Sequence, residues 1–132
     1  MKTENIQSHW NKAKNSLNSS QILLRNDMYD DAVSRAYYAI LHAAQSVLLT
    51  KDIKAKSHRS VRTLFGKHFI LTDLIENEYS QILSELQDIR FITDYSEQYF
   101  ITDEIAEEKV EQAIQFVDRM KTYLMSQSIE LP

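Results

Sequence analysis

Ser34-Arg35-Ala36-Tyr37-Tyr38-Ala39-Ile40-Leu41-His42-Ala43-Ala44-Gln45-Ser46-Val47-Leu48-Leu49 is the stretch whose reading decides the fold of this chain. At about 100° per residue, Tyr37, Ile40, Leu41, Ala44, Val47 and Leu48 share one side of a helix, while Arg35, Tyr38, His42 and Ser46 share the other. The first side is a core face. The second sets an Arg, a Tyr and a His at i, i+3 and i+7, a set that is costly to bury unless each member finds a partner.

Working outward, the composition favours helices throughout. The 132 residues contain one Gly (Gly66) and one Pro (Pro132), too few for the turns that a sheet protein of this size spends. An all-α antiparallel bundle of four main helices plus one short helix is predicted, as a single domain over residues 1–132. The same scarcity of Gly excludes Gly-rich phosphate loops. The absence of Cys excludes disulfides, thiolate metal sites and Cys nucleophiles, and it favours a cytoplasmic location. No apolar run approaches the roughly 20 residues that span a bilayer, so no membrane segment is expected.

The chain has a net charge of −4, unevenly spread. Lys51 to His68 holds six Lys or Arg against one Asp, whereas Asp73 to Glu111 holds twelve acids against Arg90 and Lys109. Such a basic segment either binds phosphates or nucleic acid, or complements the chain's own acidic helices.

The first helix is predicted over about Asn5 to Arg25, with Ile6, Trp10, Ala13, Leu17 and Leu24 inward. Asn26-Asp27 breaks it, and Asp30 or a neighbour caps the second helix, the two forming an antiparallel hairpin. Ser57 is a plausible N-cap for a short helix from about His58 to Lys67, with Val61, Leu64 and Phe65 inward. Thr72 or Asp73 opens a fourth helix, Asp73 and Glu76 resembling a capping box, and this helix reaches about Asp94 to Gln98. Thr102 opens the last helix, and residues from about 127 to 132 read as a frayed tail.

The fourth helix carries the sharpest anomaly. Tyr79, Leu83 and Leu86 lie within about 40° of Arg90 on the helical wheel, so a guanidinium continues an apolar stripe. Asp94 stands one turn on and can pair with it. Two readings follow: a structural ion pair closing the bundle end, or an Arg facing an anion at a cleft. Tyr38, His42 and His58 are the other candidate ligand residues, each with an alternative as a hydrogen-bonded or surface residue. No His-x-x-x-His or Glu-x-x-His spacing occurs, so neither a metal site nor a cofactor is expected.

Four ordered blocks, Ser34 to Ala44, Ser57-His58-Arg59-Ser60-Val61 before Phe65 and Phe69, Arg90-Phe91-Ile92-Thr93-Asp94-Tyr95, and Ala113-Ile114-Gln115-Phe116-Val117, resemble the HEPN domain family, most closely its small stand-alone prokaryotic branch. The resemblance implies a helical bundle that is commonly a homodimer and is often encoded beside a minimal nucleotidyltransferase as a toxin–antitoxin pair. Toxic members of that family are metal-independent ribonucleases. Their Arg-x4-6-His motif orients a phosphate with Arg and activates the ribose 2′-OH with His.

Arg90 matches that Arg, but the positions where the His would stand are Tyr95, Ser96 and Glu97. A phenol with a pKa near 10 is a poor base beside an imidazole near 6.5. Arg90 and Tyr95 are thus the candidate catalytic pair of a degenerate motif, and Arg35, Tyr38, His42, His58, Arg90 and Asp94 the candidate ligand set. The expected function is binding of a nucleotide, RNA or a nucleotidyltransferase partner. The alternatives are a ribonuclease toxin using Arg90, and a dimeric helical adaptor without a ligand.

Overall fold

The computed structural model describes residues 2–96 and 100–132. Among them run α1 (Lys2–Arg25), α2 (Tyr29–Leu49), α3 (His58–Phe65), α4 (Asn77–Tyr95) and α5 (Asp103–Ser126), with a π-helical turn Gly66–Ile70 continuing α3 and no strand. This is the all-α bundle of four long helices and one short one that the composition predicts. Helix α2 is its centre and touches each of the other four. Its Ala32, Ala36, Ala39, Ala43 and Ala44 are fully buried, and these small side chains let neighbouring helices approach closely while the larger Tyr37, Ile40, Val47 and Leu48 fill the space between them.

Aromatic rings close the core around the π turn. Phe65 stacks on Phe69 at 5.9 Å and meets Phe116 of α5 at 5.7 Å, while Tyr123 stands edge-on to Phe69 at 5.3 Å. Because Phe65 and Phe69 are both fully buried, the wider turn between them keeps both rings on the inward side.

A chain with one Gly must end its helices by other means. Asp27, Asp52, Asp73 and Ser128 take φ near 60°, the left-handed conformation that usually falls to Gly. At Asp27, for example, the amide of Met28 donates to the Leu23 carbonyl and that of Asp27 to the Leu24 carbonyl. The same paired pattern recurs at Asp52, Asp73 and Ser128, each time with an apolar residue following. Gly66 itself is right-handed, at φ −59°.

Two expected caps hold and two differ. Ser57 accepts from the Ser60 amide and Ser60 returns the bond, while Thr102 accepts from the Ile105 amide. Helix α2, however, starts after Met28 without a side-chain cap, with Asp30 and Asp31 inside its first turn. Helix α4 starts at Asn77 rather than at Asp73, because Asp73 is occupied in closing the π turn. Glu76 makes no capping bond there, and its carboxylate takes two bonds from Arg119 at 2.7 and 3.1 Å.

The α4 end at Tyr95 falls inside the expected interval, whose far limit, Gln98, lies outside the described residues. Residues 127–132, expected as a frayed tail, leave the helix after Ser126 but return along α1. Gln7 donates to the Glu130 carbonyl at 2.8 Å, Lys14 to that of Pro132 at 3.2 Å, and Ile129 and Leu131 pack on the core. No helix among the described residues is long and apolar enough to cross a membrane.

Candidate functional site

The cleft is built where α2, α3 and α4 meet. Helix α4 places Gln87, Arg90, Phe91 and Asp94 on one face, at i, i+3, i+4 and i+7. Across from it α2 presents the successive tyrosines Tyr37 and Tyr38, the first buried and the second half-buried. The reciprocal Ser57–Ser60 cap fixes the start of α3, so His58 enters from the third side, its ring 5.4 Å from Tyr37 and 6.1 Å from Tyr38.

Arg90 is the hub. Its guanidinium carbon sits 4.5 Å from the centre of the Tyr38 ring and 5.9 Å from that of Tyr37. Its Nη2 pairs with Asp94 at 3.3 Å. The remaining Nε and Nη1 are buried and find no hydrogen-bond partner in the structure, so the tyrosine faces supply electron density where acceptors would otherwise stand. With 21% of its side chain exposed, Arg90 lies at a boundary between core and solvent.

Tyr37, Gln87, Arg90, Phe91 and Asp94, together with His58, Arg59 and Tyr95, line a cavity of about 400 Å³. Burial pushes the Tyr37 phenol up to about 12, although the charges of Arg90 and Arg62 oppose the rise. Its hydroxyl is buried without a partner. A neighbouring cavity of about 540 Å³ shares Arg59, Gln87 and Phe91 and adds Arg62, which is held by Asp88 at 3.1 Å. The cleft therefore combines the rings of Tyr37, Phe91 and Tyr95 with the cations Arg59 and Arg90 and the carboxylate of Asp94, and aromatic faces beside cations suit a flat, negatively charged ligand.

Comparison with known sequences agrees with this architecture. A HEPN domain profile matches residues 6–123. The chain belongs to the HEPN domain family. It is 40% identical over 121 residues to a Methanocaldococcus jannaschii protein named "putative toxin", covering 92% of this chain and 90% of that one. A second protein of that organism with the same kind of name is 36% identical over 118 residues, covering 89% and 80%. A Thermotoga maritima protein named for the uncharacterised family UPF0332 is 26% identical over 119 residues, covering 89% and 90%.

Of the residues singled out in the sequence, this HEPN domain brings Tyr38, His58, Arg90, Asp94 and Tyr95 to one cleft. Tyr95, where the family motif would place its His, is 78% exposed and packs its ring against Phe91 at 4.7 Å on the rim. Arg35 is exposed and reaches the Tyr38 ring only at 6.0 Å.

His42 lies elsewhere. Its Nδ1 is 3.2 Å from Nδ1 of His9 on α1, the two rings stacked at 5.4 Å. Ser46, from the same predicted polar face, is fully buried and donates to the Ile6 carbonyl of α1 at 3.3 Å. One helical face is thus divided between two neighbours, a division that no spacing within α2 reveals. Burial lowers the His42 pKa to about 4, with the nearby charges of His9 and Lys12 adding to the effect and a hydrogen bond with Gln45 opposing it.

Sequence reasoning passed over Arg59, Gln87 and Tyr37 as cleft residues. A signal was available for Gln87 in its helical phase with Arg90 and Asp94. None existed for His9, whose partner is 33 residues away on another helix. Among the described residues no group of three or more His, Cys, Asp or Glu is placed to hold a metal ion.

Proposed function

We propose that this HEPN domain binds the phosphate of a nucleotide or RNA at Arg90 and serves in a toxin-type module beside a minimal nucleotidyltransferase. The observation that carries the reading is the placement of Arg90. A cation held by two tyrosine faces and a single carboxylate, on the wall of a cavity that also contains His58 and Arg59, is arranged to exchange its partner for a phosphate oxygen. The names of the Methanocaldococcus relatives support the toxin-type setting, and homodimerisation, usual in the family, would cover the exposed Phe91 and Tyr95 at the rim.

Isothermal titration with AMP, ATP and a short single-stranded RNA tests the binding claim. Saturable binding that falls at least tenfold in Arg90→Ala, the loss expected for a charge-assisted contact, is the predicted result. Equal titrations of wild type and variant would leave Arg90 as a structural residue only. Light scattering of the pure chain tests the homodimer, and co-purification of the chain with the product of an adjacent nucleotidyltransferase gene tests the module.

One observation favours a second reading. His58 lines the same cavity as Arg90, so an imidazole is present at the cleft although the motif position holds Tyr95. On this reading the chain is a metal-independent ribonuclease in which Arg90 orients the phosphate and His58 or Tyr95 accepts the 2′-OH proton. RNA cleavage in excess chelator, abolished by Arg90→Ala and by either His58→Ala or Tyr95→Phe, would establish it, and RNA left intact by wild type would remove it.

A further inference from the structure

We propose, on the reading of Arg90 as a phosphate-binding residue, that the groove between α3 and α4 beside its cleft is a second phosphate subsite, so that the chain takes a single-stranded RNA across both cavities rather than a lone nucleotide. The groove, of about 540 Å³, runs between Arg59 and Arg62 of α3 and Ser80, Ser84 and Asp88 of α4. It shares Arg59, Gln87 and Phe91 with the cavity of Arg90. The two spaces therefore adjoin along one wall.

Arg62 repeats the arrangement of Arg90. Its Nη1 donates to Oδ1 of Asp88 at 3.1 Å and to Oε1 of Gln87 at 3.4 Å, so a single nitrogen of the fork makes both contacts. With side-chain exposures of 41% and 61%, the Arg62–Asp88 pair adds little to stability, and a phosphate can take the place of the carboxylate. Asp88 and Asp94, the carboxylates that engage the two guanidinia, are separated by about 9 Å of helix rise. Neighbouring phosphates of one polyphosphate chain share a bridging oxygen and stand closer than that, whereas those of successive nucleotides are set apart by a sugar. The groove wall suits that sugar, because Ser80, Ser84 and Gln87 offer uncharged hydroxyl and amide groups to ribose hydroxyls.

The charges of the two helices are sorted in the same sense. Arg59 and Arg62 belong to the basic stretch from Lys51 to His68, and Arg59 reaches both cavities. Helix α4 turns Glu85 the other way, toward Lys109 of α5 at 3.2 Å. Among the described residues Asp88 is the one carboxylate on the groove wall, against two guanidinia. The groove is thus net cationic, and a strand of alternating phosphate and sugar meets an Arg in each cavity.

Titration of AMP, ATP and single-stranded hexa-adenylate RNA into the full chain tests the proposal. Arg62→Gln should weaken the hexamer about tenfold and lower the salt dependence of its binding by about one phosphate contact, with AMP unchanged. Asp88→Asn, which removes the carboxylate that Arg62 now holds, should tighten the hexamer several-fold, an outcome that a purely structural pair does not predict. Lys121→Gln, an equal loss of charge on α5, should match wild type. Should Arg62→Gln fail to fold, Asp88→Asn carries the test. Hexamer affinity indifferent to both α3–α4 variants, while Arg90→Ala abolishes AMP binding, would overturn the second subsite and leave the Arg90 reading in place. An equal loss of ATP and hexamer in Arg62→Gln would assign the groove to the polyphosphate of one nucleotide and overturn the strand. Hexamer binding that survives Arg90→Ala would remove the reading on which the strand depends.

Discussion

Toward α1, helix α2 presents His42 and Ser46, and toward α3 and α4 it presents Tyr37 and Tyr38. On the first side the polar groups satisfy one another: His42 meets His9, and Ser46 meets a backbone carbonyl. On the second side the Tyr37 hydroxyl and two guanidinium nitrogens of Arg90 are buried without hydrogen-bond partners, and only ring faces and one carboxylate hold the charge. A satisfied polar contact fixes the packing of two helices, whereas an undersatisfied one keeps capacity for a ligand. The difference supports the proposal that the first side holds the bundle together and the second serves recognition.

The largest effect should come from breaking the satisfied side. His42→Ala removes a ring from the α1–α2 seam and leaves His9 without its partner, at an expected cost of about 2 kcal/mol. Denaturant unfolding measures it. On the opposite side Tyr38→Ala removes the closest ring beneath Arg90 and should cost about 1 kcal/mol, with Tyr38→Phe close to wild type because the ring face rather than the hydroxyl holds the cation. Were Tyr38→Ala the more damaging of the two, the division between a structural and a recognition side would be wrong.

Acid should separate the two sides further. The folded His42 titrates at about 4 against an ordinary value of 6.5, and His9 is shifted in the same direction. As pH falls below 6.5 the unfolded chain takes up protons that the folded chain refuses. The contribution is therefore fully present above pH 6.5 and is lost progressively as pH falls toward 4. Because both rings are only about half-buried, solvent screening reduces the loss to the order of 1 kcal/mol over that interval. Urea unfolding at pH 7 and pH 5 should thus show a loss in wild type that is smaller in His42→Gln, and equal losses would place the acid sensitivity elsewhere.

How far the sequence foretold this arrangement depends on the range of the interaction. The apolar periods of α1 and α2 and the caps at Ser57 and Thr102 are local, and the structure keeps them. The Arg90–Asp94 pair, four residues apart, was equally legible. Asp73 was misread because its role is set by the turn that precedes it: Asp73 and Glu76 have the spacing of a capping box, yet a left-handed Asp73 closes the π turn and Arg119, 43 residues away, engages Glu76. His42 was grouped with Tyr38 by position on one helix. Only the packing of α1 on one flank and α4 on the other shows that the two residues serve different neighbours.

The smallest change in stability addresses the comparison most directly. Asp94 is about half-exposed and makes an i, i+4 pair with Arg90 at 3.3 Å, so Asp94→Asn should cost no more than about 0.5 kcal/mol. Its effect on recognition should be larger and opposite in sign. Asp94 competes for the same guanidinium that a phosphate would approach, and it places a negative charge at the cavity wall. Removing that charge should raise the affinity for AMP or RNA several-fold while the fold is nearly unchanged. If Asp94 instead orients Arg90 for its ligand, affinity will fall, and titrations of Asp94→Asn and wild type side by side distinguish a competing carboxylate from a positioning one.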